Sequence, residues 1–146
     1  MQNWRREFSG SLANISEAAR WVDQIVADRK LPDDKAYALK VCLEEILTNI
    51  VRHGGSPSPK IVLGLALFQN GLKLTVEDDG KPFDLATSPP RRVDRPLENA
   101  KIGGLGIQLI HSFADRLSYT RVNDKNRVVA EFILPEFARP GLERSK

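Results

Sequence analysis

Three groups of residues in this sequence have the types and spacing to do chemistry. Glu45, Asn49 and His53 recur four residues apart, so on a helix they share one ridge. That ridge lies at the edge of the apolar arc formed by Leu39, Leu43, Ile46 and Ile50. A carboxylate and a carboxamide at a core rim can face a pocket, although taken alone the ridge reads first as a solvated helix face. In the second group, Glu77-Asp78-Asp79-Gly80, strand alternation puts Asp78 on the face of Leu72, Leu74 and Val76. A carboxylate pointing inward needs a partner, and two readings stay open: a ligand meets it, or Asp78 caps a turn that begins at Asp79-Gly80. The third group is Gly103-Gly104-Leu105-Gly106, just ahead of a renewed apolar pattern. Glycines there let backbone approach a ligand, and free amides at a helix start attract phosphate, although a loop-to-helix hinge has the same composition. No Gly-Lys-Ser/Thr follows, which excludes a Walker loop, and the dinucleotide fingerprint lacks its spacing and its preceding strand.

These groups need elements to hold them. A short strand is expected over 4–8, followed by an amphipathic helix marked by Leu12, Ile15, Ala19, Val22 and Ile25/Val26. Its cap is either Ser11 or Asn14, the latter through a capping box with Glu17. Pro32-Asp33-Asp34 breaks the chain and restarts it as a second helix over 33–53, with the core stripe Ala36, Leu39, Leu43, Ile46/Leu47 and Ile50, and Gly54-Gly55 ends it. Cys42 borders that stripe and reads as a small buried hydrophobe rather than a nucleophile. Strands over 60–68 and 72–78 flank Asn70-Gly71, a strong hairpin signal. From Gly80 to about Ile102 prolines and scattered charge replace periodicity, the pattern of a long functional loop such as a lid. Leu105, Leu109, Ile110 and Phe113 predict a third helix. Strands over 117–122 and 127–134 close the domain around a polar turn, and the chain beyond Pro135 reads as a frayed tail.

Composition narrows the classes. The 146 residues with 41% hydrophobic content suit one domain with a real core. The longest apolar run, Ile61 to Phe68, is under half of the roughly 20 residues needed to cross a bilayer. The N-terminus lacks the apolar segment of a secretory signal, so a cytoplasmic location is expected. A single cysteine can form neither an internal disulfide nor a cysteine-ligated metal site. Net charge is only +3, and the basic residues are dispersed apart from Arg91, Arg92 and Arg95 and a short tail. No aromatic-interleaved basic stripe supports direct nucleic-acid binding.

Taken in order, Glu45-x-x-x-Asn49-x-x-x-His53-Gly54, Asp78-x-Gly80 at a strand end and Gly104-x-Gly106 opening a helix resemble the N, G1 and G2 boxes of the histidine-kinase-like (GHKL, Bergerat-fold) ATPases. Within that superfamily, Glu45-Ile46-Leu47-Thr48-Asn49, Asp78-Asp79-Gly80-Lys81-Pro82-Phe83-Asp84 and Gly103-Gly104-Leu105-Gly106-Ile107 resemble the anti-sigma-factor serine/threonine kinases of bacterial partner-switching systems. The resemblance covers about residues 8–135, with an ATP lid over about 80–102 and a flexible tail over 136–146. It implies an α+β, two-layer sandwich: a mixed, mainly antiparallel sheet covered on one face by about three helices. It also implies roles. Glu45 is the general base or hydroxyl-orienting group, and Asn49 holds Mg²⁺, for which its carboxamide oxygen is a suitable hard ligand. Asp78 accepts from the adenine amino group and Gly80 permits the close turn beneath the base. Gly103, Gly104, Leu105 and Gly106 meet the phosphates, and His53 and Lys101 add to the nucleotide site. Pro82 stands where many superfamily members have a second glycine, a departure shared by the anti-sigma-kinase branch. The γ-phosphate cation is not assigned among Lys101, Arg91, Arg92 and Arg95.

The implied function is an ATP/Mg²⁺-dependent protein kinase that phosphorylates an anti-sigma-factor antagonist of the STAS type and alternately sequesters a sigma factor, as a homodimer, without contact to membrane or nucleic acid. The alternative is an ATP-binding regulatory module that sequesters a protein partner without phosphoryl transfer. A catalytic fragment of a histidine kinase would need a dimerisation and phosphoacceptor helix for which 146 residues leave no room.

Overall fold

Alternating apolar side chains pair the strands, and two apolar helix stripes cover the face those side chains make. The computed structural model describes residues 1–53, 55, 59–84 and 110–135. In chain order the elements are β1 (Gln2–Ser9), α1 (Leu12–Asp28), α2 (Asp33–His53), β2 (Lys60–Leu67), β3 (Gly71–Asp78), β4 (Arg116–Val122) and β5 (Lys125–Ile133). Residues 110–113 are also helical. The five strands form one sheet in the order β1-β2-β3-β5-β4. All four described pairings are antiparallel, so the parallel component of the expected mixed sheet does not occur among them.

The sheet's buried face carries Ile61, Leu63, Leu65 and Leu67 from β2, Leu72, Leu74 and Val76 from β3, and Val128, Ala130 and Phe132 from β5. Helix α2 lays Leu39, Leu43, Ile46 and Leu47 on it. Each such side chain contributes about 1.5–3 kcal/mol on leaving water. Cys42 lies inside this stripe rather than at its border, while Ala36 is only half-buried. Helix α1 buries Ala18, Ala19, Val22 and Ile25 and packs Trp21 edge-on against Phe8 of β1. Leu12, read as part of the α1 stripe, is 74% exposed because it begins the helix ahead of the first turn that meets the core.

The caps settle the ends. Ser11 is the N-cap of α1, accepting from the Asn14 amide at 3.3 Å, while the Asn14 side chain donates back to the Ser9 carbonyl. At the other end Lys30 takes a left-handed φ of 52°. Leu31 N–H then reaches the Val26 carbonyl and Lys30 N–H the Ala27 carbonyl, closing α1 in a Schellman arrangement. The Pro32 carbonyl accepts from Lys35 and Ala36, starting α2.

Two turns differ from the sequence expectation. The β2–β3 turn is Gln69-Asn70, closed by Phe68 N–H on the Gly71 carbonyl at 2.8 Å. Gly71 is the first residue of β3, where a Cβ would lie 2.7 Å from the Phe132 carbonyl oxygen. Glycine is therefore required for close approach to β5 rather than for the turn. The β4–β5 turn contracts to Asn123-Asp124, whose φ values of 52° and 62° suit a tight two-residue hairpin. Asn126, expected within a polar turn, belongs to β5 and pairs with Asp78 across the sheet. The expected start of the third helix at Leu105, most of the lid and the tail lie outside the described residues.

Candidate functional site

The site forms where the C-terminal half of α2 passes over the end of β3. The unbroken helix keeps Glu45, Asn49 and His53 on one ridge, but their surroundings differ sharply. Asn49 is 2% exposed, Glu45 is half-buried, and His53 is exposed at the rim. The Asn49 amide donates to the Glu45 carbonyl at 2.7 Å, one turn back. Its carbonyl oxygen Oδ1 is buried with no hydrogen-bond partner among the described residues. An orphaned buried acceptor is costly, about 1–3 kcal/mol, and its chemistry suits a hard cation or a donor from a ligand. The His53 ring stacks on Phe83, with centroids 4.8 Å apart.

Asp78, on β3, is 3% exposed. Its Oδ1 accepts from the Gly80 N–H at 2.8 Å and from Asn126 Nδ2 at 3.1 Å. The turn-capping reading of this carboxylate holds at Gly80, and the side chain faces inward as the strand alternation requires. Burial is the main cause that pushes its acidity constant above the usual carboxylate range; the Gly80 and Asn126 hydrogen bonds and the Arg121 charge pull the other way. Glu45 is also shifted upward, first by burial and then by Glu44, against the opposing charge of Arg52. Cys42 is pushed up to about 12 by burial and is no nucleophile.

Asn49, Ile50, His53, Asp78, Lys81, Phe83, Asn126 and Val128 line one small cavity. Three of the residues singled out in the sequence thus meet: Asn49, His53 and Asp78. Gly80 is buried next to them and its carbonyl accepts from Arg121. Glu45 stands one turn along α2 and does not line this cavity. Lys101, Gly103, Gly104, Leu105 and Gly106, with Arg91, Arg92 and Arg95, lie outside the described residues. Among the described residues no cluster of histidine, cysteine and carboxylate side chains could hold a metal by itself, so a cation here would rely on Asn49 and on ligand oxygens.

Sequence reasoning missed Asn126, Tyr119 and Arg121. Tyr119 and Arg121 donate to Asn126 Oδ1 at 2.6 and 3.0 Å. The signal was available in the alternation Asn126, Val128, Ala130, Phe132, which puts a polar residue at the end of a buried face. The expected strand over 127–134 begins two residues after β5, which starts at Lys125, and so leaves Asn126 outside it.

Residues 8–132 match the family described as the histidine kinase-like ATPase domain. The serine/threonine-protein kinase BtrW of Bordetella bronchiseptica is 30% identical over 126 residues, covering 84% of this chain and 87% of that protein. The serine-protein kinase RsbW of Listeria monocytogenes is 34% identical over 83 residues, and the match spans about half of each protein, 53%. Among solved structures, the RsbU and RsbW domains of Rv1364c from Mycobacterium tuberculosis superpose with a TM-score of 0.66 at 11% identity, over 92% of this chain and 34% of that one. The SiaB-SiaC complex from Pseudomonas aeruginosa gives 0.54 at 11% identity, over 88% and 89%. At such identities these structures speak for the fold alone. No described helix is long and apolar enough to cross a membrane.

Proposed function

This chain belongs to the histidine kinase-like ATPase domain family, and on that premise we propose that it is an ATP/Mg²⁺-dependent protein serine/threonine kinase of a partner-switching system. Its substrate would be a small anti-sigma-factor antagonist of the STAS type, and its alternate partner a sigma factor that it sequesters. The reading is supported by relatives named as protein serine/threonine kinases over most of this chain in one case and half of it in another.

One observation carries the assignment of the site. The buried, unpartnered oxygen of Asn49 belongs to a residue that shares a cavity with the buried carboxylate of Asp78. A cation ligand and a base-recognition group are what an ATP site needs at its two ends. Asn49 would hold Mg²⁺, Asp78 would accept from the adenine amino group, and Gly80 would keep the turn close beneath the base. Phe83 and His53 would wall the rim. Gly103, Gly104, Leu105 and Gly106, with Lys101, would receive the phosphates. When bound, ATP and Mg²⁺ supply the transferable phosphoryl group and neutralise its charge.

Glu45 would orient the substrate hydroxyl and take its proton as the hydroxyl oxygen bonds to the γ-phosphorus and the bond to the bridging oxygen breaks, with ADP as the leaving group. Burial raises the basicity of this carboxylate, which suits that task. A homodimer is part of the proposal.

The decisive experiment incubates the full chain with MgATP and the antagonist and maps phosphate on the product. Transfer to a serine or threonine supports the kinase reading. A Glu45→Gln protein that transfers at the wild-type rate would remove Glu45 from its role. Retention of the partner with bound ATP but no phosphate on it would instead favour the non-transferring regulatory module. The dimer is tested by the mass of the purified chain in solution.

A further inference from the structure

We propose that Asn126, oriented by Tyr119 and Arg121, is a positioning residue that makes the base site select adenine over guanine by holding Asp78 as a wall that only accepts hydrogen bonds. The proposal deepens the nucleotide-site reading and rests on it. Its starting point is a cluster that the phosphoryl-transfer chemistry does not use.

Asn126 is 3% exposed and all of its described amide bonds run in one sense. Nδ2 donates to Asp78 Oδ1 at 3.1 Å and to the Lys81 carbonyl at 2.8 Å. Oδ1 accepts from the Tyr119 hydroxyl at 2.6 Å and from Arg121 Nη1 at 3.0 Å. A guanidinium can only donate and a backbone carbonyl can only accept. Turning the amide over would set donors against Arg121 and an acceptor against both Asp78 and Lys81. Arg121 and Tyr119 therefore lock the amide. Arg121 Nη1 also donates to the Gly80 carbonyl at 2.8 Å, which ties β4 to the turn that follows Asp78.

Both amide hydrogens of Asn126 are thereby spent, one on Asp78 and one on Lys81, and none is left to offer a ligand. Asp78 Oδ1 receives two donors, from Asn126 and from Gly80. What the wall can still offer a base is the second carboxylate oxygen, an acceptor. Adenine carries an amino group at the position where guanine carries a carbonyl oxygen. The amino group finds its acceptor, whereas the guanine oxygen meets another acceptor and no donor. Buried polar groups left unpaired in this way are the strongest source of discrimination between close analogues. The same hydrogen bonds oppose the effect of burial and favour the ionised, accepting form of the carboxylate.

The test measures dissociation constants of MgATP and MgGTP for the full chain and its variants by calorimetry. Wild type is expected to prefer ATP. Asn126→Leu, of similar size but without the amide, should weaken ATP by about 10-fold or more, the loss typical of a hydrogen bond to a charged group, and leave GTP unchanged or improved. The ATP-to-GTP ratio therefore falls. Tyr119→Phe and Arg121→Gln, at half-buried and exposed positions, should lower the ratio less, in the same direction. A ratio that is unchanged in Asn126→Leu, including one where both affinities fall together, overturns the proposal. If Asn126→Leu does not fold, the ratio in the Tyr119 and Arg121 variants decides in the same way. Wild-type protein that binds neither nucleotide defeats the nucleotide-site reading itself, an outcome distinct from nucleotide binding with an unmoved ratio.

Discussion

The two walls of the site are built on opposite principles. On the helix side, Asn49 buries a carbonyl oxygen and leaves it without a described partner. On the sheet side, Asp78 and Asn126 are tied into hydrogen bonds with Gly80, Lys81, Tyr119 and Arg121. On the proposed reading, the open wall would keep a ligand position free at a cost to stability, and the hydrogen-bonded wall would fix one orientation before any ligand arrives. A site for a small molecule profits from both, because preorganisation lowers the cost of binding and an unfilled acceptor supplies part of the reward.

The contrast can be broken or sharpened by substitution. The largest effect is expected on the helix side at Glu45: Glu45→Gln should lower phosphoryl transfer by about 10²–10⁴-fold while MgATP affinity changes little, as shown by single-turnover transfer beside calorimetric binding. Next is Asp78→Asn, which replaces the acceptor wall. ATP affinity should fall by about 1.5–3 kcal/mol, read by calorimetry, and an unchanged affinity would remove Asp78 from the base site.

Acidity provides a related test with opposite signs for binding and folding. The Asp78 carboxyl is raised above its usual range in the folded chain, so the folded state binds the proton more readily than the unfolded one. Asp78's contribution to stability is therefore fully present below its unfolded value and is lost as pH rises through the raised folded value. ATP binding needs the ionised form and should weaken as pH falls through that same raised value. Melting curves and ATP titrations of wild type against Asp78→Asn across mildly acidic pH isolate both trends.

Asn49→Leu exchanges the orphaned acceptor for an apolar side chain of similar size. The nucleotide-free protein should melt higher, by an amount equivalent to about 1 kcal/mol, and the stabilisation by MgATP should vanish. A lower melting temperature would mean that the oxygen is satisfied in the free protein. The smallest effect is expected one residue away from the hydrogen-bonded wall but on the other face of the sheet. Glu77 pairs with Arg127 at 2.6 Å, half in solvent, adjacent in register to Asp78 and Asn126. Arg127→Gln should cost under about 1 kcal/mol and leave ATP affinity unchanged, as measured by denaturant melts and calorimetry.

Much of this arrangement is legible along the chain. The 33–53 helix, its Leu39/Leu43/Ile46 stripe and the ridge of Glu45, Asn49 and His53 follow from a period of 3.6, and the inward Asp78 follows from a period of 2. Local chemistry also allowed Ser11 as a cap. It marked the β2–β3 hairpin at Asn70-Gly71, although the turn sits one residue earlier and the glycine serves contact with Phe132; it misled at Asn126, whose polarity resembled a turn. In both places the contact that matters is made with a strand far away in the chain.

The sequence by itself therefore determined which face each residue takes within its own element, because side-chain direction follows from backbone periodicity. It placed Asp78 on the inward face at the end of its apolar pattern and Asn49 on a ridge beside the apolar arc of its helix. Only the tertiary structure decided their company. Asn126 reaches Asp78 across 48 residues because β5 pairs antiparallel with β3 in one register. That register is set by burying Val128, Ala130 and Phe132 beside Val76, Leu74 and Leu72. A one-residue slip would turn all of them to the other face, so it is the burial of this apolar face, which Asn126 ends, that places the amide against the carboxylate.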